Sequence, residues 1–267
     1  MITSEDIVPI RVTDADINQW QLDRIAKHTL NTWQPNRLDA DRAADTRIGK
    51  VAEHALEVFL HQHSVGHLSW DAIRMDNFET HAPVDGFLMR LETLARLDVN
   101  TFTQKAHAAI LSSHFPAEFR DEWETEGVYR YEIKSTRIAK RLQRPDASFD
   151  REKVLSDDFL VYPNIRYGNL TPTLRQQLLQ QTAKEQVQSL TPRTLFRAYV
   201  DTQGSEYTVY LIGYIPRDDF FASSSFTVKN MPQPGKSEYA IYNAVKLEHG
   251  FPMSGVVQNL GTGIPSS

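Results

Sequence analysis

An uninterrupted run from about Leu38 to His63 constrains this chain more than any other stretch. It contains no proline, and at about 100° per residue Ile48, Val51, Ala52, Ala55 and Phe59 fall on one narrow apolar face. The pattern predicts a long helix whose stripe lies against a second layer of structure. Glu53 sits at the margin of that stripe, on the side of Gly49 and Leu60, whereas Glu57 sits further out toward water. A carboxylate at the border of a buried face can enter a site; one on the polar face usually only solubilises.

The second strong signal is Tyr129-Arg130-Tyr131-Glu132-Ile133-Lys134-Ser135-Thr136-Arg137, where aromatic and β-branched residues alternate with charged ones. Side chains along a strand point to opposite faces in turn. Tyr129, Tyr131 and Ile133 therefore share one face, and Arg130, Glu132 and Lys134 the other. An acid and an ammonium thus project side by side.

Around these two elements the chain reads as α/β, with a central mixed sheet flanked by helices. Residues 1–36 form an N-terminal segment with one helix, capped by Thr13 or Asp14, before a turn at Trp33–Asn36. Leu68–Arg74 is compatible with a strand. Val84-Asp85-Gly86-Phe87-Leu88-Met89 is a short apolar strand with an embedded acid, and the glycine after the acid allows another backbone or a ligand to come close. Residues 91–124 read as a helical insert. A helix is expected from Thr171 to about Leu190, and 195–200 and 207–215 form a hairpin joined by Asp201–Ser205. Residues 216–221 open a short helix, 231–235 form a loop and 239–247 a last strand. The tail, 250–267, is rich in glycine, serine and proline and is expected to be irregular.

The 267 residues include no cysteine, which removes disulfides, cysteine–metal sites and thiol nucleophiles. The start lacks a basic region followed by an apolar run, and no apolar stretch approaches the ~20 residues that span a bilayer. A soluble, cytoplasmic protein without a membrane partner is expected. The formal charge of −5 argues against indiscriminate coating of nucleic acid, yet leaves room for a local grip. His61, His63 and His67 read as histidines at a helix end rather than a zinc site, because Gly66 breaks the helix and no fourth ligand is evident.

Three acids and one lysine remain: Glu53, Asp85, Glu132 and Lys134. Clustered acids repel one another unless a cation neutralises them, and hard oxygen donors suit Mg²⁺ or Mn²⁺. The plain alternative for Glu132 and Lys134 is a solvated ion pair on an edge strand. For the acid of the first strand, Asp76, Glu79 and Asp98 compete with Asp85.

Gly49-Lys50-Val51-Ala52-Glu53, then Pro83-Val84-Asp85 and Glu132-Ile133-Lys134, resembles the PD-(D/E)XK nuclease superfamily. The resemblance covers Gly49 to Arg137 and implies a restriction-endonuclease-like domain over 37–249. It implies metal-dependent hydrolysis of phosphodiester bonds in DNA, of a restriction or anti-phage defence type. Asp85 and Glu132 would bind the metal with the Ile133 carbonyl as a further ligand, Glu53 would assist, and Lys134 would be the catalytic lysine. The long separation of Asp85 from Glu132 departs from the superfamily's usual close pair of strands and requires the 91–124 insert between them. Arg137, Lys140, Arg141 and Arg144 follow the active strand, where a nucleic-acid backbone would leave the site. Cutting both strands of a duplex needs two sites, which fits a homodimer. The rival readings are a catalytically inactive binding module on the same fold, and a repair or RNA-directed nuclease.

Overall fold

In a computed structural model, the structure describes residues 1–32, 39–76, 78, 82–109, 117–138, 149–161, 166–167, 173–174, 177, 191–232 and 239–262. The elements in order are β1 (Val8–Thr13), α1 (Gln19–Thr32), α2 (Asp39–Gln62), β2 (Gly66–Ser69), α3 (Trp70–Ile73), β3 (Gly86–Met89), α4 (Leu91–Arg96), α5 (Val99–Ala109), α6 (Ala117–Thr125) and β4 (Tyr129–Arg137). They continue with α7 (Arg151–Leu155), β5 (Asp158–Val161), β6 (Arg166–Tyr167), β7 (Thr194–Gln203), β8 (Glu206–Pro216), α8 (Arg217–Ala222), β9 (Thr227–Pro232), β10 (Tyr239–Lys246) and α9 (Met253–Thr262).

Among the described residues, six strands form a mixed sheet in the order β1-β8-β7-β4-β3-β2. The β4–β7 pair is parallel and the others are antiparallel. Helix α2 crosses one face of this sheet, and its stripe is buried as the periodicity requires: Val51, Ala52, Ala55 and Phe59 pack with Tyr131 and Ile133 of β4, Phe196 and Ala198 of β7, and Val209 and Leu211 of β8. The opposite face is covered by the small second sheet of β5, β6, β9 and β10. Leu195, Tyr199, Ile212 and Ile215 meet Phe159, Val161 and Val245 there. Strand β3 is buried on both sides, with Leu88 toward α2 and Phe87 and Met89 toward Phe102 of α5 and Trp123 of α6. The insert is thus a helical layer packed beside the sheet's β3 end. No helix among the described residues is long and apolar enough to cross a membrane.

Four expectations require correction. The leading segment carries a strand as well as its helix: β1 pairs with β8, and Pro9 is tolerated because β1 lies at the sheet edge, where a missing N–H costs no ladder bond. The strand expected over Leu68–Arg74 ends at Ser69. The Ser69 hydroxyl accepts the Ala72 N–H at 3.2 Å and caps the short helix α3. The expected loop at 231–235 begins as strand, since β9 pairs with β10 as far as Pro232. The tail is helical over α9, because Met253, Val256 and Leu260 recur at i, i+3 and i+7 and bury one face in the α2 core. Most of the helix expected over 171–190 lies outside the described residues.

Candidate active site

Asp85 stands one residue before β3, and three main-chain features fix it. The Trp70 N–H donates to the Asp85 carbonyl at 3.0 Å, and the Asp85 N–H donates to the Tyr131 carbonyl at 3.2 Å. Gly86 follows, paired with Tyr131, and a Cβ there would meet the Leu68 carbonyl oxygen and the Tyr131 ring at 2.7 Å each. The close approach read from the glycine is therefore made by the protein's own neighbouring strands. β3 pairs with β4 only from Tyr129 to Tyr131. Past that point the Asp85 side chain takes over the ladder: its Oδ2 accepts the Ile133 N–H at 2.7 Å, 48 positions away in the chain. Asp85 is thereby held between the two strand residues, Glu132 and Lys134, that alternate with Ile133.

Glu132 and Lys134 project together, as the period-two pattern requires, and form an ion pair with each other. Their strand is pinned from the β7 side. The buried Arg197 donates from Nη1 to the Lys134 carbonyl at 2.9 Å and from Nη2 to the Thr136 hydroxyl at 2.8 Å.

Glu53 reaches the same locality from α2, and Lys50, one turn earlier, holds it: Lys50 Nζ lies 2.5 Å from Glu53 Oε2. The same ammonium lies 2.7 Å from Asp71 Oδ2 on α3. Arg74 contacts the other Asp71 oxygen at 3.2 Å and Asp76 Oδ1 at 2.8 Å. The ladder Arg74–Asp71–Lys50–Glu53 thus ties α3 to α2. Lys50 and Asp71 are the site residues that sequence reasoning missed. At about 100° per residue Lys50 falls on the side of α2 away from the apolar stripe, so the periodicity carried no signal for it; α3 packing against that side is what gives the ammonium its second partner.

The electrostatics follow from this crowding. Burial pushes the Asp85 carboxyl up from 3.8 to about 8, with the Glu53 and Glu132 carboxylates adding to the rise and Lys134 and the Ile133 N–H opposing it. Burial also raises the Glu53 carboxyl, as does Asp71, against the pull of Lys50 and Lys134. Burial disfavours charge on Lys134, but Glu132 and Asp85 outweigh it and hold the ammonium above its ordinary range. The acids destabilise one another's charged forms, and each lysine relieves part of that cost.

The competing acids are engaged elsewhere. Asp76 is gripped by Arg74, and Asp98 accepts N–H groups of Asn100 and Thr101 at the start of α5. Glu79 lies outside the described residues. His67 Nε2 lies 2.7 Å from the Tyr131 hydroxyl, and His63 Nδ1 lies 2.8 Å from the Phe59 carbonyl oxygen. Arg137 pairs with Asp45 of α2 at 2.8 Å, while Lys140, Arg141 and Arg144 lie outside the described residues. No group of three or more histidine, aspartate or glutamate side chains arranged to hold a metal ion is present among the described residues; Lys134 and Lys50 are the cations on Glu132 and Glu53. Comparison of the chain with protein-family models, with curated proteins and with solved structures gives no match.

Proposed function

We propose that the chain is a metal-dependent nuclease that hydrolyses phosphodiester bonds in DNA, with Asp85, Glu132, Glu53 and Lys134 as its working groups. One observation carries this reading: the 2.7 Å bond from the Ile133 N–H to Asp85 Oδ2. It closes the long gap between the two sequence motifs and puts the acid beside Glu132 and Lys134. An acid that merely decorated a surface would have no reason to be buried against two other carboxylates.

The residues present fit a hard divalent cation. Asp85, Glu132 and the Ile133 carbonyl would hold Mg²⁺ or Mn²⁺, with Glu53 assisting, and the mutual destabilisation of the acids is a deficit that such an ion relieves. When bound, the ion polarises a phosphoryl oxygen and lowers the pKa of a coordinated water. Lys134, whose ammonium stands beside Glu132, would offset negative charge developing at phosphorus. The raised pKa values of Glu53 and Asp85 belong to the ion-free site, and a bound divalent cation would stabilise their carboxylate forms. No covalent nucleophile is needed. Duplex DNA as substrate, a restriction or defence role and a homodimer that cuts both strands belong to the same proposal.

A second reading, a non-catalytic nucleic-acid or protein-binding module, is favoured by the internal ion pairs Glu132–Lys134 and Glu53–Lys50, which neutralise the acids without a metal. Incubating the protein with supercoiled plasmid, single-stranded DNA and RNA, each with Mg²⁺, Mn²⁺ or EDTA, separates the two. The nuclease reading expects divalent-ion-dependent cleavage that Lys134→Ala removes, with plasmid as the best substrate. RNA as the preferred substrate would shift the proposal to an RNA-directed enzyme. Retention of DNA without cleavage in any metal would support the binding module.

A further inference from the structure

We propose that Lys50, anchored by Asp71, is a positioning residue for the site, setting the orientation of Glu53. This rests on the nuclease reading above and gives a role to Lys50, which stands inside the helical acidic motif without a function assigned to it there. The Lys50 ammonium lies between two carboxylates on different helices, 2.5 Å from Glu53 Oε2 and 2.7 Å from Asp71 Oδ2. The three side chains retain 19%, 20% and 11% of their exposure, so the contacts form in a largely desolvated setting where ion pairs are strong.

The geometry gives Lys50 two tasks. It fixes one oxygen, Oε2, of a side chain with three rotatable bonds. It also offsets the repulsion that Asp71, an acid on the neighbouring helix, exerts on Glu53. Asp71 is itself held from behind, since Arg74 takes its other oxygen at 3.2 Å and is fastened to Asp76. The anchor is therefore rigid rather than a pair of waving surface chains. Partners that orient a metal-assisting carboxylate typically matter 10- to 100-fold in metal affinity or activity.

The test compares Lys50→Met, Lys50→Arg and Asp71→Asn with the wild-type protein. Mn²⁺ affinity is measured by electron paramagnetic resonance or calorimetry without DNA, and kcat and KM are measured on plasmid. Lys50→Met is expected to weaken Mn²⁺ binding and lower kcat by about 10-fold or more, with KM for DNA little changed. Lys50→Arg keeps a cation between the two acids and is expected to recover most of both. Asp71→Asn, which removes the anchor and leaves the Lys50–Glu53 contact, is expected to lie between wild type and Lys50→Met. It also serves as the decisive variant if Lys50→Met does not fold. Wild-type Mn²⁺ affinity and kcat in Lys50→Met, or in Asp71→Asn where it is the decisive variant, overturns the role of Lys50 and leaves the nuclease reading standing. A wild-type protein that binds no Mn²⁺ overturns both.

Discussion

Replacing Asp85 with asparagine should make the protein more stable at neutral and alkaline pH, and the structure gives the size. The carboxyl ionises near 3.8 in an unfolded chain and near 8 in the folded one. The folded state therefore holds a proton that the unfolded state has lost throughout that interval. Stability contributed by this group is fully present below about pH 4 and is lost as pH rises through about 8. At about 1.4 kcal/mol per pH unit the loss has an upper limit of about 6 kcal/mol. Asp85 keeps some contact with solvent, so about 2–3 kcal/mol is the appropriate expectation. Asparagine keeps an oxygen to accept the Ile133 N–H and removes the charge. Urea unfolding followed by circular dichroism in EDTA, from pH 5 to 9, measures the effect. Wild-type stability should fall across this range relative to Asp85→Asn, by about 2–3 kcal/mol in total. Millimolar Mg²⁺ should narrow the difference at pH 8 by binding only the folded wild type. Parallel pH profiles for the two proteins would refute the crowding of acids around Asp85.

Three further outcomes follow from the packing and the site. Gly86→Ala should destabilise by about 1–3 kcal/mol, since its Cβ would lie 2.7 Å from the Leu68 carbonyl oxygen and from the Tyr131 ring; thermal melting reads this as a Tm lowered by several degrees. Leu260→Ala should cost about 2–3 kcal/mol, because Leu260 is buried in the α2 core. A cost within about 0.5 kcal/mol in urea unfolding would return the tail to an irregular surface segment. Lys134→Ala should reduce plasmid cleavage by about 100-fold or more while the circular dichroism spectrum stays that of the folded wild type.

The elements legible in the sequence were those whose pattern is local. Helix α2 and strand β4 announce themselves by periods of 3.6 and 2, and the β7–β8 hairpin by two β-rich runs around Gly204, whose φ of 65° suits a tight turn. β1 was hidden by Pro9, a residue that argues against a strand unless the strand lies at an edge, and edge position is a tertiary fact. α9 was hidden by its glycines and serine, although Met253, Val256 and Leu260 carried the helical spacing. Within the site, Glu132 and Lys134 needed only strand alternation. Asp85 depended on a bond to a residue 48 positions away, and the Lys50–Asp71 contact on how α3 turns at Ser69 to face α2. Neither has a spacing that sequence alone displays.

The central claim is that Asp85 joins Glu132 and Lys134 in one metal-dependent site. The most direct test is Mg²⁺- or Mn²⁺-dependent plasmid cleavage by Asp85→Ala alongside Asp76→Ala and Asp98→Ala, with folding checked for each. Cleavage should be abolished in Asp85→Ala and retained in the other two, whose carboxylates are occupied by Arg74 and by the start of α5. Cleavage at the wild-type rate by a folded Asp85→Ala protein would contradict the claim.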